Sequence, residues 1–223
     1  MAKALDLEEQ EQLDQIKHFW KKYGNLISWV LIVALGGYAS WTGYQLWQRD
    51  QAGKAAVLFD ELERAVTAGD VARVERSLAD MKDKFGDTHY AHQSAMLAAK
   101  TLQAQDKADA ARAALKWVAD SAPDAAYRDI ARMRLSALLL DAGSHDEALA
   151  QLSAPFTPAM SGLAADLRGD ILQAKGQTAE ALTAYSTAWD QLVDIPDYRL
   201  LVLAKLNALG VDPEAASPKG SNK

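Results

Sequence analysis

Hydrophobic and polar positions divide the chain into two stretches that follow different rules. From Tyr23 to Gln48, 26 positions pass without a charged residue. The 21 residues from Leu26 to Leu46 make a helix of roughly 31 Å, against a bilayer hydrocarbon core of about 30 Å. In lipid a chain must satisfy its own backbone polar groups, so residues 23–48 are predicted to be one transmembrane helix. Phe19, Trp20 and Tyr23 stand at one end, and Trp41, Tyr44 and Trp47 at the other. Aromatic rings with a polar edge favour both headgroup regions.

The flanks set the direction. Lys17, Lys21 and Lys22 precede the span, while Arg49 and Lys54 follow it. The nearest basic cluster is N-terminal, which predicts a cytoplasmic segment over 1–22 and export of the rest. Gly37-Tyr38-Ala39 before Ser40 has the small-x-small form of a signal-peptidase site. The segment nevertheless stays apolar and aromatic through Trp47, and the leader is long and acidic, so a retained anchor is expected. Gly36, Ser40 and Gly43 share one face at i, i+4 and i+7, a candidate surface for a neighbouring membrane helix.

Beyond Arg49 the pattern becomes amphipathic with a helical period. There are 39 alanines against 11 valines plus isoleucines, and no run alternates as a half-buried strand would. Turn signals cut this region into helices over about 51–67, 71–84, 90–105, 106–120, 125–141, 146–153, 160–175, 178–192 and 197–209. The expected layout is a helical domain over 49–210 and a disordered tail over 211–223, rich in small and polar residues.

The helices repeat. Gly143-Ser144-His145-Asp146-Glu147-Ala148-Leu149 and Gly176-Gln177-Thr178-Ala179-Glu180-Ala181-Leu182 share glycine, glutamate, alanine and leucine at an offset of 33 residues. Leu152 and Tyr185 follow the shared alanines by four. Small residues are required where facing helices approach closely. The spacing resembles the tetratricopeptide repeat, an antiparallel helix pair of about 34 residues. Gly169, Gly176, Ala181, Tyr185 and Ala188 fit that frame best; Ser136, Gly143, Ala148 and Leu152 fit it in degenerate form. The fold class expected is all-α, one N-terminal transmembrane helix followed by a tetratricopeptide-like solenoid.

Charge and candidate chemistry narrow the function. The net charge of −6 divides into −1 for residues 1–48 (four basic, five acidic) and −5 for the rest (20 basic, 25 acidic). A mildly acidic exported surface gives no reason to expect a nucleic-acid partner. Absence of cysteine removes thiolate metal sites, disulfides and thiol nucleophiles. His89 and His92, three apart near Asp87, are too few for a typical transition-metal site. No phosphate-loop, dinucleotide, serine-hydrolase or zinc-protease motif occurs. The chain is therefore expected to be a non-enzyme without cofactors.

The layout as a whole resembles the ancillary SecYEG translocon subunit family of the Gram-negative inner membrane. The resemblance is carried by the leader Leu7-Glu8-Glu9-Gln10-Glu11-Gln12, the entry Phe19-Trp20-Lys21-Lys22-Tyr23-Gly24, and Thr88-His89-Tyr90-Ala91. It implies a single-pass inner-membrane protein with a periplasmic domain beside the translocon. It also implies partnership with a membrane-anchored periplasmic chaperone of the prolyl-isomerase type and a chaperone or adaptor role towards exported clients. The other reading is a structural scaffold for a cell-wall or division assembly. In tetratricopeptide folds the first helix of each pair lines a groove. That frame assigns Gln93, Met96, Lys100, Gln103, Met133, Asp166, Asp170 and Gln173 to it, although core packing suits Met96 and Met133 somewhat better.

Overall fold

The computed structural model describes residues 7–213, with side chains from Glu11 onward; most of the expected tail, 214–223, lies outside them. All regular elements among the described residues are helical. They are α1 (Leu7–Thr67), α2 (Val71–Phe85), α3 (His89–Ala104), α4 (Ala108–Ser121), α5 (Ala125–Asp141), α6 (His145–Gln151), α7 (Pro158–Ala174), α8 (Thr178–Gln191) and α9 (Pro196–Ala208). From α2 onward each boundary falls within two residues of its sequence expectation. The exception is α1, which runs unbroken where a break near residue 50 was expected. No proline intervenes, and one glycine, Gly53, weakens a helix by only about 1 kcal/mol.

The chain divides into two units, residues 1–53 and 54–223. In the first, the large apolar side chains of α1 from Leu26 through Trp47 are exposed, apart from a half-buried Ile27. This helix is long and apolar enough to cross a bilayer. Aromatic neighbours meet at both ends of the apolar stretch: Phe19 and Tyr23 rings lie 5.1 Å apart, and Tyr44 and Trp47 stack at 6.0 Å.

The second unit is built of antiparallel helix pairs around an alanine-rich core. α3 buries Ala91, Ala95, Ala98 and Ala99, and α4 buries Ala111 and Ala114. These small side chains let axes approach, while Leu102, Leu115, Val118, Leu135 and Leu139 fill the space between. A second cluster, Tyr185, Trp189, Leu192, Val202 and Leu206, joins α8 to α9.

The repeat frame has a physical basis at each turn. Gly143 and Gly176 have φ of 73° and 75°, a conformation that side chains with a Cβ rarely adopt. Each lets the following amide bond back into the helix: Ser144 N–H to Leu139 C=O and Gln177 N–H to Leu172 C=O, both 2.9 Å. Lys107 N–H bonds to Leu102 C=O at 2.8 Å in the same way. There the left-handed residue is Asp106, at φ 58°.

The pairs differ in length. α6 has 7 residues and α8 has 14. Pro155 and Pro158 end the helical run after α6, and the extended loop that follows is held by α5 and α7. Arg132 donates to the carbonyls of Gln151, Ala154 and Pro155 at 2.9, 2.6 and 3.1 Å. Arg168 donates to Leu152 C=O at 2.6 Å, and Asp129 accepts from Thr157 N–H at 2.8 Å.

Candidate functional site

Two first helices of neighbouring pairs, α3 and α5, border a cleft of about 340 Å³. Their starts are fixed locally. The Thr88 hydroxyl accepts from Ala91 N–H at 3.3 Å and donates to Phe85 C=O at 2.7 Å. The Asp124 carboxylate accepts from Ala126 N–H at 2.8 Å, and Arg128 ties the chain before α5 through the carbonyls of Ala122 and Pro123.

The cleft floor is apolar: Met96 and Ala99 from α3, Leu115 from α4, and Leu138 from α5. Its rim is polar and exposed, with Lys100 and Gln103 on one side and Arg134 and Asp141 on the other. Ala99 and Ala137 create the space because a larger side chain at either would occupy it. An apolar floor with charged edges suits a segment of another polypeptide better than a small polar metabolite.

Of the groove residues expected from sequence, Met96, Lys100 and Gln103 come together here. Gln93 lies outside the cleft lining and donates to the Tyr127 hydroxyl at 2.7 Å. Met133 is half-buried against the central core. Gln173 is exposed on α7.

Asp166 and Asp170 hold a different position from the one the repeat frame assigns. Asp166 is 1% exposed, and Lys205 Nζ lies 2.7–2.9 Å from all four carboxylate oxygens of the pair. Tyr198 donates to Asp166 and Tyr185 to Asp170, each at 2.8 Å. Burial, and then the bond to its carboxylate, pushes each phenol above its ordinary range. The two acids thus join α7 to α8 and α9 rather than line an open groove. Their partner Lys205 is up to 39 residues distant in sequence, with no local pattern to announce it.

His92 is 1% exposed and stacks on Trp117, ring centroids 5.0 Å apart at 15°. Its Nε2 has no hydrogen-bond partner. Burial lowers its pKa, opposed by a bond to the Thr88 backbone and assisted by nearby His89. Trp117 also carries Lys82 above its ring at 4.9 Å. The ring pair closes the top of α3 against α4 and leaves no lone pair directed to solvent.

Sequence reasoning missed Arg134 and Asp141, whose exposure on α5 follows from their spacing of seven. It also missed a larger hollow of about 600 Å³ between the 152–156 loop, α7 and α8. Its signal was present in Pro155 and Pro158, which truncate α6 and leave one flank of α7 uncovered.

On α1, Gly36, Ser40 and Gly43 are exposed. A Cβ added at Gly36 or Gly43 would meet no other atom within 4 Å.

The helical unit has recognisable relatives. A tetratricopeptide repeat-like domain family matches residues 17–211. The chain is 31% identical over 207 residues to an ancillary SecYEG translocon subunit of Neisseria gonorrhoeae, covering 92% of this chain and 99% of the relative. Proteins of the same description from Haemophilus influenzae and Escherichia coli are 28% identical over 185 residues and 24% identical over 206 residues. Those two matches cover 83% and 91% of this chain, and 90% and 97% of the relatives. Matched almost end to end and across both units, the chain belongs to the ancillary SecYEG translocon subunit family and carries its tetratricopeptide repeat-like domain.

Proposed function

We propose that this chain is a non-catalytic, membrane-anchored protein-interaction module that works beside a SecYEG-type translocon. In this reading α1 crosses the bacterial inner membrane once, with the N-terminus cytoplasmic and the helical unit in the periplasm. The unit assists emerging exported clients as a chaperone or adaptor, in company with a membrane-anchored chaperone of the prolyl-isomerase type. The observation that carries this reading is the near full-length match to relatives described as ancillary SecYEG translocon subunits. The exposed apolar course of α1 and the α3–α5 cleft, with its apolar floor and charged rim, are in keeping with it.

Photo-crosslinking from Gln103 and Arg134 in native membranes tests the reading. Adducts with the export channel, its chaperones or nascent exported chains are expected. Adducts confined to cell-wall or division proteins would replace it with the scaffold reading. A C-terminal reporter active only outside the cytosol is expected to be active, and an expressed but inactive fusion would reverse the topology.

A further inference from the structure

In the helical unit, the exposed large apolar side chains among the described residues are Val57, Val193, Ile195, Leu200, Leu201 and Val211. All but Val57 belong to the last helix and its flanks. The exposed positions of α9 are 196, 197, 200, 201, 204, 207 and 208, most of them spaced by three and four along one face. Leu200 is 62% and Leu201 49% exposed, and Ala204 and Ala208 beside them are small enough for another helix to approach closely. A terminal helix of a repeat array ordinarily turns a polar face outward to stay soluble. Here the inner face is already satisfied by Val202 and Leu206 against α8, and among the described residues the outer leucines stand outside that core cluster.

The charge around this face selects among occupants. Asp190, Asp194 and Asp197 are exposed beside it. Both basic residues of α9 are engaged inward: Arg199 donates to Trp189 C=O at 3.0 Å and covers its ring at 3.7 Å, and Lys205 holds Asp166 and Asp170. The rim is therefore negative. A second copy docked about a two-fold axis would bring the same acids together, and an anionic bilayer surface would be repelled. Residues 214–223 contain no large apolar side chain able to cover the leucines.

We propose that the outer face of α9 is a docking surface for an amphipathic helix of another protein. That helix carries aliphatic side chains on its buried face and lysine or arginine on its flanks. The surface is separate from the α3–α5 cleft and would leave the cleft open.

The test uses the full chain in nanodiscs of zwitterionic lipid, with two labelled 18-residue helical peptides. Both have a leucine face; one has lysine flanks and the other glutamate flanks. The lysine peptide is expected to bind at least tenfold more tightly than the glutamate peptide. Leu200→Glu with Leu201→Glu should weaken it at least tenfold with an unchanged thermal melt, and Asp194→Lys with Asp197→Lys should reverse the peptide preference. Arg134→Ala, in the cleft, should leave this binding unchanged, which separates the surface from the clients of the cleft. Equal binding of the two peptides, or binding indifferent to both pairs of substitutions, would overturn the proposal. So would self-association in the ultracentrifuge, or binding to anionic vesicles, that Leu200→Glu with Leu201→Glu abolishes. A gain of tenfold or more on deleting 214–223 would make that segment the occupant instead.

Discussion

The α5–α6 pair and the α7–α8 pair use one frame to different ends. Both turn on a left-handed glycine, Gly143 or Gly176, followed by the same hydrogen bond into the preceding helix. At the close approach, however, α7 has Gly169 under the ring of Tyr185, where a Cβ would clash with the ring carbons. At the matching place α5 has Ser136, whose hydroxyl donates to Ala148 C=O at 2.9 Å. The aromatic is replaced there by Leu152, and the second helix has half the length. The turn is thus the fixed part of the repeat. The approach of the two helices is negotiated by a pair of residues, and the length of the second helix is set by proline.

The largest effect should come from the part that only the α5–α6 pair needs. Arg132→Ala removes three charge-assisted bonds to loop carbonyls and the stacking on Phe156 at 4.0 Å. A loss of about 3 kcal/mol is expected in denaturant unfolding, with new protease cleavage between 152 and 157. Unchanged cleavage would mean that the prolines alone shape the loop.

Next comes the close approach. Gly169→Ala gains up to about 1 kcal/mol of helix propensity but overpacks the Tyr185 ring, which its bond to Asp170 holds in place. Overpacking costs about 1–3 kcal/mol, so a net loss of about 1–2 kcal/mol is expected. Adding Tyr185→Leu, which removes the ring as Leu152 does in the α5–α6 pair, should cost less than the two changes summed. Strict additivity in the double-mutant cycle would show that glycine and tyrosine are not a coupled pair.

The turn comparison extends to Asp106, which stands at φ 58° where its counterparts are glycine. Asp106→Gly should stabilise the unit by about 0.5–1 kcal/mol, read as a raised Tm.

The smallest effect separates α3–α4 from both later pairs. His92, stacked on Trp117, has a folded-state pKa below the ordinary 6.5, chiefly through burial. The unfolded chain therefore takes up a proton as pH falls through about 6.5 that the folded chain does not. Stability contributed by this site is complete above that pH and declines below it. His92→Gln should flatten the decline between pH 7 and 5 in a series of thermal melts.

These differences mark what the sequence could convey. Gly143, Gly176 and their shared Glu-Ala-Leu are local signals that located the α5–α6 and α7–α8 turns, as Gly69, Gly86 and Pro123 located earlier ones. The continuity of α1 was not visible, because the change of composition at Arg49 marks the end of the apolar span without ending the helix. Met96, Lys100 and Gln103 were assigned by the repeat frame to the first helix of a pair, and the three line one cleft between α3 and α5. Asp166 and Asp170 obey the same period, but their position is decided by Lys205, Tyr185 and Tyr198 on two other helices. Pairing over such separations leaves no trace in a window of one or two turns.

That ammonium between two carboxylates has a consequence for cooperativity. In a stack of repeats each unit is stabilised mainly by its neighbours, and the end unit, with one neighbour, tends to fray first. Lys205 reaches past α8 to α7 and so gives the last helix a second attachment. Hydrogen exchange in α9 should then track that of α7 and α8 rather than run ahead of it. α9 would unfold together with α7 and α8, and its apolar face would stay folded and presented while it waits for its partner.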